Sequence, residues 1–125
     1  MDVLKPGSIV LAHYCDFDGT QKDGVFCIIY DEQLDFHNNH KGNVTALKVT
    51  TAFTSLSNYS VCLADGNNDF IERDSFCQCS KIHTLDKATQ IYRHLGDLHK
   101  NTYKKVYKTH KAYEAEKDRQ MEDYL

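Results

Sequence analysis

The Cys77-x-Cys79 pair and His83 are residue types that bind zinc. In a strand, residues 77 and 79 share one face. A structural zinc site needs four ligands, however, and usually brings two such pairs at CxxC-like spacing. The chain has five cysteines, an odd number, and four of them lie within or beside apolar, strand-like stretches. We therefore expect reduced cysteines packed in the core, and neither a metal ion nor another cofactor.

Histidine carries out acid and base chemistry near neutral pH, and two histidines are candidates for that role. His13 follows the apolar run of residues 9–12, beside a polar loop that carries Lys22. His83 lies four residues beyond the cysteine pair. The alternative for each is an exposed histidine without a chemical role.

Charge is distributed unevenly along the chain. The net charge is −3, but residues 1–80 carry 5 basic and 11 acidic side chains, whereas residues 81–111 carry 8 basic and 2 acidic ones. Residues 112–125 are acidic again, with 2 basic and 5 acidic side chains. The basic segment suits an anionic partner such as RNA. The alternative is a solvated helix face that binds nothing.

Length and hydropathy limit the class of protein. A chain of 125 residues fits one compact domain, so we expect a single domain over residues 1–125. Its apolar runs are far shorter than the roughly 20 residues that span a bilayer, and its first residues lack a signal-peptide core. We expect a cytoplasmic protein with no membrane contact.

The first two thirds of the chain have the pattern of short strands and turns. Apolar or β-branched stretches separated by Gly, Asp, Asn and Ser predict strands near residues 9–12, 25–30, 44–51, 59–63 and 75–79. Residues 15–24 are expected to form a polar loop. Five short strands at this spacing favour a small antiparallel barrel, whose closure would remove exposed edges.

The hydrophobic period changes after residue 97. Five residues repeat at helical spacing: Tyr103, Val106, Tyr107, His110 and Tyr113. This pattern predicts a C-terminal helix that packs on the barrel, capped by Asn101 or Asp97. The helix is expected to project past the core or fray from about residue 114, where the stripe fades.

Several stretches together resemble the PemK/MazF family of toxin ribonucleases from toxin-antitoxin systems. They are Gly7-Ser8-Ile9-Val10, residues 22–29, Lys48-Val49-Thr50-Thr51, residues 70–75, and Lys81-Ile82-His83-Thr84-Leu85-Asp86-Lys87. The last two are similar to the family's "K/R-D-S-V … Q-I-R-T-I/L-D-K" passage in content and spacing. The resemblance extends to about residue 113.

The resemblance implies a fold and an activity. The expected fold is mainly β, a small SH3-like antiparallel barrel with a C-terminal helix, usually assembled as a homodimer and neutralised by an antitoxin. Family members cleave single-stranded RNA without metal. In their reaction the neighbouring 2′-hydroxyl attacks the phosphorus and leaves a cyclic phosphate. Such a reaction needs a base for that hydroxyl, an acid for the leaving oxygen, and donors to the phosphate.

The resemblance, the two histidines and the basic segment together give the candidate residues. The family arginine that contacts the scissile phosphate falls at Asp23, or at Gly24 if the alignment slips by one, and neither supplies a positive charge. The candidates for catalysis are therefore Lys22, Thr50, His13 and His83. The candidates for RNA binding are Thr51, Arg73, Lys81, Lys104, Lys105 and Lys108.

Two functions follow from this departure at residue 23. In the first, the protein is a toxin-like, metal-independent endoribonuclease of a type II toxin-antitoxin system with a rebuilt site. In the second, it is a catalytically degenerate PemK/MazF-like module that binds RNA or a protein partner without cleavage. The fold alone does not decide between them.

Overall fold

The computed structural model describes residues 4–16, 18–30, 42–51, 58–63 and 75–124. Over these residues the chain forms six strands and one helix: β1 (Ser8–Cys15), β2 (Gln21–Ile29), β3 (Asn43–Thr50), β4 (Ser60–Cys62), β5 (Phe76–Asp86), β6 (Ile91–Asp97) and α1 (Lys100–Glu122). The strands form one antiparallel sheet in the order β4-β5-β3-β2-β1-β6. The prediction of a mainly β fold with a C-terminal helix is confirmed.

The structure corrects the expected closure of the sheet. Within the described part of the chain, hydrogen-bonded pairing runs from β4 to β6 and does not return, so the sheet is not closed into a barrel. It also corrects one boundary and adds one strand. β2 begins at Gln21 instead of residue 25, because a tight turn at Gly19, with φ of 85°, lets residues 21–24 pair with β1. β6 was not predicted at all, and it forms the edge strand beside β1.

Each face of the sheet carries its own hydrophobic cluster, because successive residues of a strand point to opposite sides. The side covered by α1, called the helix face, is built from Ile9, Cys27, Ile29, Leu47, Val49, Cys77 and Cys79, with Leu98 and Val106. The opposite side, called the second face, is built from Val10, Ala12, Phe26, Ile28, Ala46, Leu85 and Ile91. The helix therefore stabilises one side and leaves the second face to other contacts.

The helix docks as the periodicity predicts. Val106 and His110 are buried, and the three tyrosines of the stripe are half-buried. Its N-cap is His99, whose ring accepts a hydrogen bond from the backbone N–H of Asn101, so the expected cap at Asn101 or Asp97 is wrong. The helix continues to Glu122, beyond the residues that it buries. No described helix is long and apolar enough to cross a membrane.

Three of the five cysteines are core residues, whereas Cys62 is partly buried and Cys15 is exposed. Cys27, Cys77 and Cys79 are buried and free, on the helix face. Hydrogen bonding with the other two thiols, together with burial, raises the pKa of Cys77 well above its ordinary value, so it stays protonated. His83 packs against Phe26 of the second face, away from these thiols. Among the described residues, no three His, Cys, Asp or Glu side chains gather as a metal site.

A polar contact joins the start of β1 to the end of β6. The fully buried Ser8 donates from Oγ to Asp97 Oδ1 at 2.7 Å, and His94 Nε2 lies 2.9 Å from the same oxygen. Burial by itself would raise the pKa of Asp97, but the hydrogen bonds from Ser8 and His94 outweigh it and lower the pKa. Asp97 is thus held as a carboxylate that ties the edge strand to its neighbour.

We expect Asp97→Ala to lower the free energy of unfolding by about 1–3 kcal/mol, because it leaves the buried Ser8 hydroxyl without its acceptor. Asp118→Ala, at an exposed position of α1, should change it by less than about 0.5 kcal/mol. Since the pKa of Asp97 is lowered by folding, its contribution is present above about pH 4 and fades as the pH falls further. Urea denaturation at pH 7 and pH 3 measures both effects, and equal losses at the two pH values would contradict this explanation.

Candidate functional site

Three of the four predicted catalytic residues lie on the second face. Lys22 is paired with Tyr14 across β1 and β2, and His83 is paired with Ala46 across β5 and β3. Thr50 is two residues beyond Lys48, so the two share a face at the end of β3. The structure therefore brings Lys22, Thr50 and His83 to one side of the sheet. Lys48, for which the sequence predicts no role, lies on the same side.

Lys48 lies in β3 opposite Phe26, and its Nζ is 5.5 Å from the centre of the Phe26 ring and 5.8 Å from that of Tyr14. The ammonium also donates to the carbonyl oxygen of Val49 at 2.9 Å. Burial lowers the pKa of Lys48 below its ordinary value of 10.5. A partly buried ammonium beside aromatic rings is suited to bind an anionic group that comes into direct contact with it.

Gly24 makes this placement of Lys48 feasible. A Cβ at residue 24 would lie 2.9 Å from Tyr14 Cε1, closer than real Cβ atoms come, and 3.0 and 3.1 Å from Lys48 Cε and Nζ, tighter than most real Cβ contacts. The absence of a side chain thus lets Lys48 lie against the backbone of β2. The polar Lys22-Asp23-Gly24 stretch gave no signal of this contact, whereas a lysine within the apolar β3 stretch was a signal that could have been used.

His83 lies beside the same two rings. Its imidazole meets Phe26 and Tyr14 edge to face, at centroid distances of 5.0 and 5.5 Å. Burial lowers the pKa of His83 below 6.5, and the positive charges of Lys48 and Lys81 lower it further, against an opposing effect of Asp16. His83 is therefore neutral at pH 7 and able to accept a proton.

Lys81 is an exposed cation near His83, and Lys22 is an exposed cation paired with Tyr14, whose ring meets the imidazole. Lys22 Nζ lies 2.7 Å from Asp16 Oδ2, and this hydrogen bond with its ion pair raises the pKa of Lys22. Lys22 therefore stays charged, but a carboxylate already contacts it. Lys81 is two residues before His83 in β5, and its charge acts on the imidazole.

His13 points to the other side of the sheet. It is paired with Asp23 across β1 and β2, and its Nδ1 hydrogen-bonds the Asp23 carboxylate. Its ring stacks on Tyr92 of β6, with centroids 4.4 Å apart and an interplanar angle of 22°. The position aligned with the family arginine thus holds a carboxylate that is bound to a histidine.

The predicted RNA-binding residues are dispersed. Thr51 is exposed directly after β3. Lys104, Lys105 and Lys108 are exposed on α1, which covers the helix face, so they do not join the residues around Lys48. Arg73 lies outside the described residues.

The fold matches solved structures at low sequence identity. A mycobacterial endoribonuclease in complex with its cognate antitoxin is 19% identical, with a TM-score of 0.63 and coverage of 86% of this chain and 91% of that chain. A MazE-MazF structure from Deinococcus radiodurans is 13% identical, with a TM-score of 0.68 and coverage of 92% and 98%. The toxin MazF-mt6 from Mycobacterium tuberculosis is 20% identical, with a TM-score of 0.52 and coverage of 80% and 91%.

The sequence comparisons add no relative. No protein-family model matches the chain, and no curated protein matches it. At these identities the structural likeness defines the class of fold. This chain has a PemK/MazF-like fold, as the sequence resemblance implied.

We expect His83 to titrate below pH 6.5 in the folded protein, because burial and the charge of Lys48 both disfavour its protonated form. Lys48→Met removes the charge and keeps most of the side-chain volume, so it should move the midpoint of His83 upward. An NMR titration of the imidazole protons measures both midpoints. Lys117→Met, on the exposed part of α1, is the matched control and should leave the midpoint unchanged. A wild-type midpoint at or above 6.5 would contradict this description of the site.

Proposed function

We propose that this protein is a toxin-like, metal-independent endoribonuclease that cleaves single-stranded RNA. One observation carries the proposal: a half-buried ammonium, Lys48, and a neutral imidazole, His83, lie against the same two aromatic rings. The fold that presents them is shared with proteins described as an endoribonuclease and as MazF.

The two groups have complementary roles in the proposed reaction. His83 accepts the proton of the 2′-hydroxyl, whose oxygen attacks the neighbouring phosphorus and forms a cyclic phosphate. Lys48 donates a proton to the departing 5′-oxygen, and its lowered pKa makes it a stronger acid than an ordinary lysine. The 5′-hydroxyl product leaves, and the proton on His83 returns to Lys48 through solvent.

Additional donors would bind the phosphate as charge builds on it. Thr50 shares the face of Lys48, and in the proposed complex its hydroxyl donates to a phosphate oxygen. Lys22 and Lys81 raise the local positive potential. His13 remains a catalytic candidate from the sequence, and its place on the other side of the sheet makes His83 the histidine that we favour.

The biological setting follows from the same proposal. One solved structure of this fold is an endoribonuclease in complex with its cognate antitoxin, and another is of MazE-MazF, so we propose an antitoxin protein as the partner of this chain. We further propose a homodimer, as the family resemblance implies, acting on RNA in the cytoplasm.

Purified protein should cleave single-stranded RNA in EDTA and leave 5′-hydroxyl ends, because its base and its acid are both side chains. His83→Ala should lower the rate by about 100-fold or more, as loss of a general base does. Lys48→Met should lower it by a similar factor, and Thr50→Ala and Lys22→Ala each by about tenfold. Gel analysis of an end-labelled RNA measures these rates.

Controls separate the two histidines and test the charge of Lys48. Lys117→Met should cleave at the wild-type rate. If His13→Ala abolished cleavage and His83→Ala did not, the assignment of the base would be wrong. If a folded protein cut none of a varied set of RNAs, the endoribonuclease proposal itself would be rejected.

One observation supports the alternative of binding without cleavage. The position of the family arginine is occupied by Asp23, which is engaged with His13. In that case RNA binding should persist without cleavage and weaken as salt rises. If α1 is the contact, replacing Lys104, Lys105 and Lys108 by Ala should lower the slope of log K against log salt by about 2. Binding that does not depend on salt would instead indicate a protein partner.

A further inference from the structure

We propose that Tyr92 and His13 form a stacking platform for one RNA base, and that Asp23 favours a base with an exocyclic amino group. This inference rests on the proposed RNA substrate and adds a binding subsite to it. The platform consists of these three residues only, and it lies on the opposite side of the sheet from Lys48 and His83.

The backbone at Tyr92 is shaped to aim its ring. In the pairing of β1 with β6, Leu11 faces Arg93 and Ala12 faces Ile91, so Tyr92 is the extra residue of a β-bulge. Bulges redirect a side chain and occur often beside functional sites. Tyr92 remains 45% exposed although it is a large aromatic residue. Its ring is therefore both directed by the backbone and accessible to a ligand.

His13 supports the tyrosine from one side. The two rings are nearly parallel at 4.4 Å, and the Asp23 carboxylate holds Nδ1 of the imidazole. Gln90 fixes the backbone of His13 at both polar atoms: its carbonyl accepts from the His13 N–H at 2.9 Å, and its side chain donates to the His13 carbonyl at 3.1 Å. A platform fixed in this way loses little conformational entropy when a planar ring stacks on it.

The charge at the platform selects a base over a phosphate. Asp23 has a side chain that is 62% exposed, and its carboxylate repels a phosphate group. One carboxylate oxygen accepts from His13, and a carboxylate has further acceptor capacity. The amino group of cytosine, adenine or guanine donates to a carboxylate, whereas the single N3–H donor of uracil lies between two carbonyl oxygens that a carboxylate repels. Proteins recognise single-stranded RNA by this combination of stacking and edge hydrogen bonds.

Binding of uncleavable RNA tests the platform without requiring cleavage. The probes are fluorescein-labelled 12-mers of 2′-O-methyl oligo(C), 2′-O-methyl oligo(U) and an abasic sugar-phosphate chain of equal charge. We expect oligo(C) to bind more tightly than oligo(U). Tyr92→Leu should weaken oligo(C) binding by about tenfold and leave abasic binding unchanged, whereas Tyr92→Phe should bind like the wild type. Anisotropy measures affinity, and circular dichroism confirms that each variant is folded.

Each result decides the proposal. Base-dependent binding that is lost in Tyr92→Leu supports it, even if the protein cleaves no RNA and the proposed activity fails. An unchanged affinity of Tyr92→Leu, an equal loss for the abasic chain, or no RNA binding by the wild type overturns it. Oligo(U) binding as tight as oligo(C) overturns the role given to Asp23.

Discussion

The half-buried charge of Lys48 is the interaction on which the proposed site depends. An ammonium that is partly removed from water loses hydration, and here two aromatic faces and one backbone carbonyl replace part of it. Glycine at residue 24 leaves room for this arrangement, since a Cβ there would crowd the Tyr14 ring and the end of the lysine. Burial lowers the pKa of the neighbouring His83, and the same charge lowers it further. In the proposed reaction, one lysine thus supplies the acid and lowers the pKa of the base.

The two-sided sheet explains how a chain of this size supports such a site. α1 and the thiol-rich core stabilise the helix face, and that packing does not involve Lys48 or His83. The aromatic and aliphatic residues of the second face provide the rings and the partial burial that the site needs. Because the two clusters are separate, substitutions at the site are expected to change chemistry more than folding.

The sequence predicted much of the fold, and the residues show why the rest was missed. Apolar runs such as residues 25–30 identify buried strands. In β6 the apolar and polar residues do not alternate regularly, because it is an edge strand with a bulge at Tyr92, so the sequence pattern did not predict it. The resemblance pointed to Lys22, Thr50 and His83, and pairing places them on one face. Lys48 was missed because its role depends on contacts across three strands. Asp23 was recognised as a departure from the family, but its hydrogen bond to His13 depends on strand register.

The charges of this chain are arranged differently from those that the family resemblance implies. A carboxylate, Asp23, occupies the position aligned with the family arginine, and a cation, Lys48, extends from β3 on the opposite side of the sheet.

The most direct measurement is a crystal structure with a bound 2′-O-methyl RNA oligonucleotide. We expect a phosphate oxygen about 3 Å from Lys48 Nζ, with the adjacent 2′-oxygen against the His83 imidazole. RNA phosphates held only by the lysines of α1, with the second face empty, would contradict this expectation.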